Sequence, residues 1–227
     1  MISVIIPALN EEATILDCLE SLAAQSIPRA TYEIIVVDGG SSDRTREYAR
    51  LVADRVISQK RAGIGGARGD GAKAANGDIL VFTDADTHHP PAWLETIQEL
   101  LTVGGYDVCT GPVRFYNPTF CSYLVRGWRQ YYFLSHLFGF YWLIGSNFAV
   151  KKDAYIRAGG HRDISILEDY DLSLRLFNTH AKCIHDRRMV ALTSARRMRS
   201  ILGYALLYTN GYYHYHVNGR AESLLNY

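Results

Sequence analysis

The sequence lacks the cysteine pattern of a zinc site, a thiol-exchange motif or a disulfide framework. Its four cysteines, at positions 18, 109, 121 and 183, are scattered along the 227 residues. We interpret them as small core residues in a reducing compartment. A basic leader followed by an apolar run is also missing, because Met1 leads directly into the strand-like sequence Ile2–Ile6. We therefore expect a cytoplasmic protein without a signal peptide.

Charged residues are absent from two long stretches. Residues 130–150 and 201–219 contain no Lys, Arg, Asp or Glu, and their lengths approach the roughly 20 residues that span a bilayer. Their polar and aromatic side chains favour a buried or interfacial surface over a membrane span. The formal net charge is only +1, which argues neither for nor against nucleic acid. We expect no nucleic-acid partner.

Acidic residues are missing between Arg187 and Ala221, a segment that contains six arginines. Tyrosines follow helical spacing within it, at positions 204, 208, 212 and 215. One interpretation places these groups, with the aromatic stretch Tyr131–Trp142, on the anionic cytoplasmic face of a membrane as a peripheral contact. In the other, the tyrosines pack the last helix onto the domain or onto a second subunit.

The first half of the chain alternates short apolar runs with segments of helical spacing. Asn10 is predicted to cap the first helix, and Ser41 or Ser42 the second. Strands are predicted at residues 2–6, 33–37, 56–57, 78–83 and 106–112. This alternation predicts an α/β fold with right-handed crossovers and a mostly parallel central sheet covered by helices on both faces.

The second half is less regular. The sequence predicts a helical region at 117–141 and a short strand or turn at 145–150, whereas 169–177 fits either a strand or a helix buried on two sides. We expect one domain in two halves, residues 1–115 for donor binding and 116–185 for acceptor binding and catalysis. A helical extension is expected to follow at residues 186–227.

Polar candidates follow three predicted strands, at Pro7–Glu11, Asp38–Gly40 and Asp84–Asp86. Ligands bind beyond the carboxyl ends of strands in such sheets. On an extended strand end, Asp84 and Asp86 would face the same side, and their oxygens could share Mg²⁺ or Mn²⁺ with phosphate oxygens. The alternative for this pair is a helix cap with a solvated turn. Asp38 could bind a base or ribose, or cap the second helix.

Two further groups are weaker candidates. The glycine-rich segment Arg61–Arg68 offers two arginines before a helix N-terminus, which suits phosphate, although its glycines could equally serve helix–sheet packing. His88 and His89 follow the two aspartates closely. Either could be a metal ligand, but histidines in such a position are more often surface loop residues.

Six segments, taken in order, resemble the signatures of family-two, GT-A-fold glycosyltransferases. They are Val4–Glu12, Val36–Thr45, Phe82–Asp86, Gly145–Val150, Gly159–His161 and Leu167–Leu176. The resemblance covers residues 2 to about 178. It implies an inverting enzyme that uses a nucleoside diphosphate sugar, often of uridine or guanosine, together with Mg²⁺ or Mn²⁺.

The resemblance also implies a role for individual residues on the donor side. Asp38 would contact the base or ribose, Asp84 the nucleotide and Asp86 the metal, with Asp84 as its second carboxylate. The nucleotide pocket would be lined by Pro7, Leu9 and Glu11. Apart from the resemblance, Arg61 of the glycine-rich segment is a further candidate for donor binding. Family members often carry Asn where this chain has Asp70, which leaves the role of neighbouring Arg68 open.

On the catalytic side, the resemblance implies Asp169 as the base, with Glu168 binding the acceptor or orienting the loop. Residues Gly145, Ser146 and Asn147 would lie near the acceptor. Thr193–Arg197 faintly resembles a basic segment that some relatives place over the diphosphate, so that Arg196 and Arg197 are candidates as well. A solvated helix start is the alternative for that segment.

The sequence therefore predicts a glycosyltransferase of cell-envelope or glycan biosynthesis, with a lipid carrier, a glycan or a small polar molecule as acceptor. A nucleotidyltransferase would share the sheet and the metal chemistry, but such enzymes usually place a glycine-rich basic loop after the first strand. This chain has Pro7–Glu11 there. A catalytically silent nucleotide-sugar-binding domain is the alternative from another class, although both sets of carboxylates are present.

Overall fold

A computed structural model describes residues 1–129, 132–196 and 201–217. Its strands are β1 (Ile2–Ala8), β2 (Tyr32–Asp38), β3 (Arg55–Ser58), β4 (Ile79–Phe82), β5 (Thr87–His88), β6 (Val108–Thr110), β7 (Val113–Phe115), β8 (Phe148–Lys151), β9 (Cys183–His185) and β10 (Ala191–Thr193). Its helices are α1 (Ile15–Ala23), α2 (Thr45–Val52), α3 (Gly63–Ala74), α4 (Trp93–Thr102), α5 (Phe120–Arg129), α6 (Tyr132–His136), α7 (Lys152–Arg157), α8 (Glu168–Asn178) and α9 (Ile201–His216). A 3₁₀ turn at Arg29–Thr31 precedes β2.

The central sheet has seven strands in the order β3-β2-β1-β4-β8-β6-β9. Strands β3, β2, β1 and β4 are parallel, and β8 pairs antiparallel with both β4 and β6. Because β6 and β9 are again parallel, the mostly parallel sheet expected from the sequence is confirmed. A second sheet of three short strands, in the order β5-β10-β7, lies beside it.

Helices cover both faces of the central sheet, as its apolar strand sequences predict. On one face of the sheet, Val4 and Ile6 of β1 pack in a core with side chains of α1 and α4. On the other face, Ile5 packs in a second core with side chains of α3 and α8. This alternation follows from the two-residue period of a strand. A strand buried on both faces must be apolar at every position, which explains its continuous apolar sequence.

The predicted helix caps are wrong. Helix α1 begins at Ile15, and Asn10 instead adopts a left-handed backbone with φ 54° while its Oδ1 accepts the Ser42 amide at 2.9 Å. Helix α2 begins at Thr45, whose amide donates to Asp43 Oδ1 at 3.0 Å. Side chains of this type can bond to a nearby loop as well as to a helix end. Here they join the loop after β1 to the loop after β2.

The irregular second half resolves into short elements. The ambiguous segment 169–177 lies within α8, the expected helical region 117–141 contains α5 and α6, and β8 starts only at Phe148. In the C-terminal extension, Tyr208, Tyr212 and Tyr215 of α9 pack against Ile164, Ile166 and Leu167. These three tyrosines therefore follow the packing interpretation, whereas the side chain of Tyr204 is outside the described set. Within the described ranges, no helix has both the length and the apolar character needed to cross a membrane.

Candidate active site

The first wall of the site comes from the loops after β1 and β2. Asp38 ends β2 and is buried, and its carboxylate accepts the amides of Gly40 and Ser41 at 3.3 and 3.2 Å. Arg46 Nε lies 3.5 Å from the same carboxylate. Asp38 therefore shapes the turn that follows β2. Beside it, Leu9 is 54% exposed and presents an apolar side chain, while Pro7 is half-buried within β1.

The second wall is the segment Asp84–Asp86 after β4. It forms a turn closed by a 3.2 Å hydrogen bond from the Thr87 amide to the Asp84 carbonyl, rather than the extended strand end expected from the sequence. The two carboxylates consequently have different partners. Asp84 Oδ1 accepts from Arg68 Nη2 at 2.7 Å, whereas Asp86 Oδ1 accepts the Thr193 hydroxyl at 3.3 Å and Oδ2 lies 3.4 Å from Arg196 Nε.

These carboxylates are the groups that would hold a divalent cation. In the part of the chain that the structure describes, no three His, Cys, Asp or Glu side chains form a ready-made metal site. Two aspartates whose present partners are arginines nevertheless fit Mg²⁺ or Mn²⁺, because both ions complete their shell with phosphate oxygens and water. The side chain of Asp84 remains 34% exposed, which leaves one carboxylate accessible from solvent.

Arg196 contacts two of the candidate site residues, although its sequence segment resembles the family only faintly. Strand β10 pairs with β5, which places Thr193 opposite Thr87 and brings the Ser194 amide to within 3.2 Å of the Asp86 carbonyl. The guanidinium of Arg196 forms an ion pair with buried Glu11 as well as with Asp86. It thus joins the loop after β1 to the turn after β4. Arg197 lies outside the described residues.

The third wall is the N-terminus of α8. Leu167 precedes this helix in the left-handed region with φ 62°, a conformation that costs energy for a residue with a side chain. Asp169 follows in the first turn, is half-buried, and accepts the Gly145 amide on Oδ2 at 3.2 Å. Glu168 is buried and forms an ion pair with Arg68.

The charge state of Glu168 depends on its surroundings. Burial raises the pKa of Glu168 to about 7, and the adjacent Asp169 and the nearby Asp84 act in the same direction. The Arg68 guanidinium opposes this shift and favours the charged carboxylate. Loss of the Arg68 guanidinium should therefore raise the pKa of Glu168 further.

The segment Gly145–Asn147 lies between these walls, but its three residues differ in role. Gly145 and the partly accessible loop around it face Asp169 and Arg68, and Ser146 is almost fully buried. Asn147 is fully buried and all its polar groups have partners: Oδ1 accepts Trp93 Nε1 at 2.9 Å, and Nδ2 donates to the carbonyls of Pro112 and Met189 at 3.2 and 2.7 Å. In this structure the side chain of Asn147 is therefore part of the buried frame, and its expected place near the acceptor stays a prediction.

The two histidines that follow the Asp84–Asp86 turn contact neighbouring protein side chains. His89 is buried, stacks on Trp93 with ring centroids 3.6 Å apart, and has Nε2 2.7 Å from Thr83 Oγ1. Burial lowers the pKa of His89 to about 3, so the ring is neutral. His88 packs edge-on against Tyr116 with centroids 4.9 Å apart.

Arg61 contacts protein groups in this structure. Its Nη2 donates to the His161 carbonyl at 2.9 Å and the guanidinium forms an ion pair with Asp163, while its amide donates to Asp70 at 2.9 Å. These bonds attach the start of α3 to the loop before α8. The predicted phosphate contact of Arg61 would require these partners to be exchanged.

The sequence model described as glycosyl transferase family 2 matches residues 3–158, which include the first two walls and Gly145–Asn147. The chain belongs to glycosyl transferase family 2. Glycosyltransferase AglE of Haloferax volcanii is 36% identical over 123 residues, which cover 52% of this chain and 40% of AglE. The chain therefore spans less than half the length of that relative.

Two solved structures have a similar fold at low sequence identity. S. aureus TarS 1–349 in complex with UDP-GlcNAc has a TM-score of 0.68 at 19% identity and covers 86% of this chain and 58% of that one. Glucosyl-3-phosphoglycerate synthase from Mycobacterium tuberculosis, in complex with Mn²⁺, UDP and glucosyl-3-phosphoglycerate, has a TM-score of 0.66 at 24% identity and covers 91% and 78%. The GT-A fold predicted from the sequence is confirmed.

Proposed function

We propose that this family 2 glycosyltransferase moves a sugar from a nucleoside diphosphate sugar onto an acceptor hydroxyl, with inversion and with help from a divalent cation. The observation that carries the proposal is the meeting of Asp84, Glu168 and Gly145 around one guanidinium, that of Arg68. This arrangement supports a single site for the proposed donor-side carboxylates and the proposed base Asp169, whose carboxylate accepts the Gly145 amide. The Mn²⁺ and UDP bound by the similar M. tuberculosis enzyme support the same donor chemistry here.

In this mechanism Asp38 and the loop after β1 bind the nucleoside. Asp84 and Asp86 would hold the cation, which when bound neutralises charge on the departing diphosphate. The acceptor oxygen attacks the anomeric carbon from the face opposite the diphosphate, and the bond from that carbon to the phosphate oxygen breaks. Asp169 accepts the hydroxyl proton on its carboxylate as the new bond forms.

The donor is tested first, by a hydrolysis screen of UDP-sugars and GDP-sugars with Mn²⁺, with Mg²⁺ and with EDTA. We expect slow, metal-dependent release of nucleoside diphosphate from one donor class. Binding of nucleotide without any hydrolysis would favour a silent binding domain. Release of pyrophosphate from a nucleoside triphosphate and a sugar phosphate would instead indicate a nucleotidyltransferase.

The base is tested with Asp169→Asn, which preserves shape and removes the proton acceptor. We expect nucleotide binding near the wild-type value and transfer slower by about 10²–10⁴-fold, the usual range for a lost proton-transfer group. Asp153→Asn is the matched control, since the Asp153 side chain is 65% exposed on α7 and pairs with Arg157 of the same helix. Wild-type transfer by Asp169→Asn would assign the base to another carboxylate.

For the acceptor we propose a lipid-linked molecule, reached through a peripheral membrane contact. Helix α5 and the turn after α6 expose large apolar side chains, among them Phe120 at 77% and Phe138 at 81%. They lie in a stretch, residues 108–152, that contains no Asp or Glu. Apolar groups in basic surroundings suit the surface of an anionic bilayer.

Flotation with vesicles that contain anionic phosphatidylglycerol tests this contact. We expect wild-type protein to float at low salt, where basic attraction is strongest, and the double variant Phe120→Ser/Phe138→Ser to remain soluble. Leu51→Ser, on exposed α2, should float like the wild type. Wild-type protein that stays wholly in the soluble fraction would contradict the membrane contact and favour a soluble acceptor.

A further inference from the structure

Arg68 is a charged residue in the interior of the protein. It lies in α3 among glycine and alanine, and only 1% of its surface is exposed. Its Nη1 donates to Glu168 and its Nη2 donates to Asp84 Oδ1 at 2.7 Å. The burial of a guanidinium is costly unless carboxylates compensate it, and here the two carboxylates come from different walls of the site.

The backbone around Arg68 is shaped to admit the guanidinium. A Cβ atom added at Gly145 would lie 2.8 Å from Arg68 Cζ, well inside van der Waals contact. The Gly145 amide in turn donates to Asp169. Arg68 therefore contacts the donor-side turn, the backbone of the predicted acceptor segment and the first residue of α8.

We propose that Arg68 is a positioning residue that fixes the donor-side carboxylate Asp84 and the base-side pair Glu168–Asp169 at one spacing. This inference rests on the proposed function. The planar fork of arginine can hold two carboxylates in fixed directions, which a lysine ammonium cannot do. Through these bonds Arg68 sets the distance between the sugar donor and the carboxylate that receives the acceptor proton.

A second, half-buried arginine of the same region shows what a purely structural pair looks like. Arg175 binds the fully buried Asp171 within α8, with Nε 3.0 Å from Oδ2, and donates to the Ala158 carbonyl. It joins elements of the same core and touches neither Asp84 nor Gly145. Arg68 differs because one of its carboxylates, Asp84, is partly exposed to the cleft.

The Nε–H group of Arg68 is not explained by packing of the core. It is buried, and no hydrogen-bond partner is found for it in the described part of the chain. A buried donor without a partner opposes stability, so a core optimised for stability alone would favour a different residue. An arginine at this position instead suits the accurate placement of Nη1 and Nη2 between Glu168 and Asp84.

The test compares Arg68→Met and Arg68→Lys with the control Arg175→Met. For each variant we measure the melting temperature and the Kd for UDP–Mn²⁺ and for GDP–Mn²⁺. We also measure kcat and KM with the donor identified by the hydrolysis screen. The titration of Glu168 is followed by ¹³C NMR of labelled glutamate. The groups that face Glu168 are Arg68 from α3, Asp169 from α8 and Asp84 from the turn after β4. The Glu168→Gln variant assigns the signal.

We expect Arg68→Met to lower kcat by about 10²-fold, the cost of a misplacement near 1 Å, while nucleotide Kd changes by less than tenfold. The Glu168 titration should move to higher pH, because its stabilising cation is lost. Arg68→Lys should recover the titration but not kcat. Arg175→Met should lower the melting temperature and leave the site parameters within about twofold, as expected for an independent position.

Failure of the proposed function and failure of the positioning role of Arg68 would give different results. If wild-type protein hydrolyses no donor, the proposed function fails, while the NMR titration still decides whether Arg68 controls Glu168. Suppose that the wild-type protein is active and that the Arg68→Met variant folds. The positioning role is then wrong if Arg68→Met keeps kcat within threefold of wild type, or if Arg68→Lys has the full wild-type kcat. Should Arg68→Met not fold, Arg68→Lys and Arg68→Gln provide the same two readouts.

Discussion

Asn147 offers a sharp test of the site's architecture, because its sequence-based role and its structural role predict different defects. The substitution Asn147→Leu keeps a similar side-chain volume and removes three hydrogen bonds, those to Trp93 Nε1 and to the carbonyls of Pro112 and Met189. If Asn147 binds an acceptor, the variant should fold normally and show a raised acceptor KM. If it supports the frame, the variant should lose stability.

The expected loss can be worked out from the buried groups left behind. Each donor or acceptor left unpaired in the interior costs about 1–3 kcal/mol, and three groups are affected here. The carbonyls of Pro112 and Met189 can relax more easily than the indole Nε1, so we expect a total of about 3–5 kcal/mol, within the usual range of severe core substitutions. For a chain of this length that corresponds to a fall in melting temperature of about 6–20 °C.

Differential scanning fluorimetry and urea denaturation without ligand would measure this loss. Asn178→Leu is the matched control, since the same change at an exposed position at the end of α8 should change stability by no more than about 0.5 kcal/mol. A melting temperature for Asn147→Leu within 2 °C of wild type, measured in triplicate, would refute the assignment of Asn147 to the frame.

Three further predictions concern charge in the site. Asp86→Ala should remain folded and lose most metal-dependent turnover, because one of two cation-binding carboxylates is removed; an activity that persists unchanged in EDTA would contradict the proposed metal role. Arg196→Gln should bind Mn²⁺ more tightly than wild type in the absence of nucleotide, by electron paramagnetic resonance titration, because the competing guanidinium is removed from Asp86; weaker Mn²⁺ binding would show that Arg196 supports the cation site instead. Burial raises the pKa of Glu168 in the folded protein from its ordinary value of 4.5 to about 7. The protonated form therefore stabilises the folded state, and this contribution is lost as pH rises from about 4.5 to 7. Glu168→Gln should therefore lose less melting temperature than wild type between pH 5 and pH 8, and parallel curves would exclude the raised pKa.

The central sheet and its site edge could be predicted from the sequence because both depend on local patterns. A strand buried on both faces must be apolar along its whole length, as β1 and β2 are, and a polar residue after such a strand must lie at the sheet edge. Asp38 and Asp84 are found there for that reason. The helical tyrosine spacing likewise predicted α9, although it could not tell which partner the tyrosines contact.

Other features depend on partners that are distant in sequence. The side chain of Asn10 was expected to cap the nearest helix, but the amide of Ser42 lies closer once β1 and β2 are paired. The family resemblance implied that Asn147 lies near the acceptor, and only the position of Trp93, 54 residues away, shows that its side chain is internal. No periodicity in the sequence encodes these distances.

The partners of Arg68 and Arg196 were likewise not predictable from local sequence. Together these two arginines show how the carboxylates of the candidate site are neutralised. Asp84 and Asp86 are separated by one residue, yet each is compensated by an arginine from a remote segment, Arg68 at 2.7 Å and Arg196 at 3.4 Å. The two arginines differ in solvent exposure: the side chain of Arg68 is 2% exposed, whereas that of Arg196 is 33% exposed. A divalent cation and a nucleoside diphosphate have nearly opposite charges, so they can enter the site with little change in its total charge if the more exposed arginine exchanges its carboxylates for phosphate. Under the proposed function, Arg68 is then the fixed member that keeps the catalytic distance constant, and Arg196 is the member whose partners change when the donor binds.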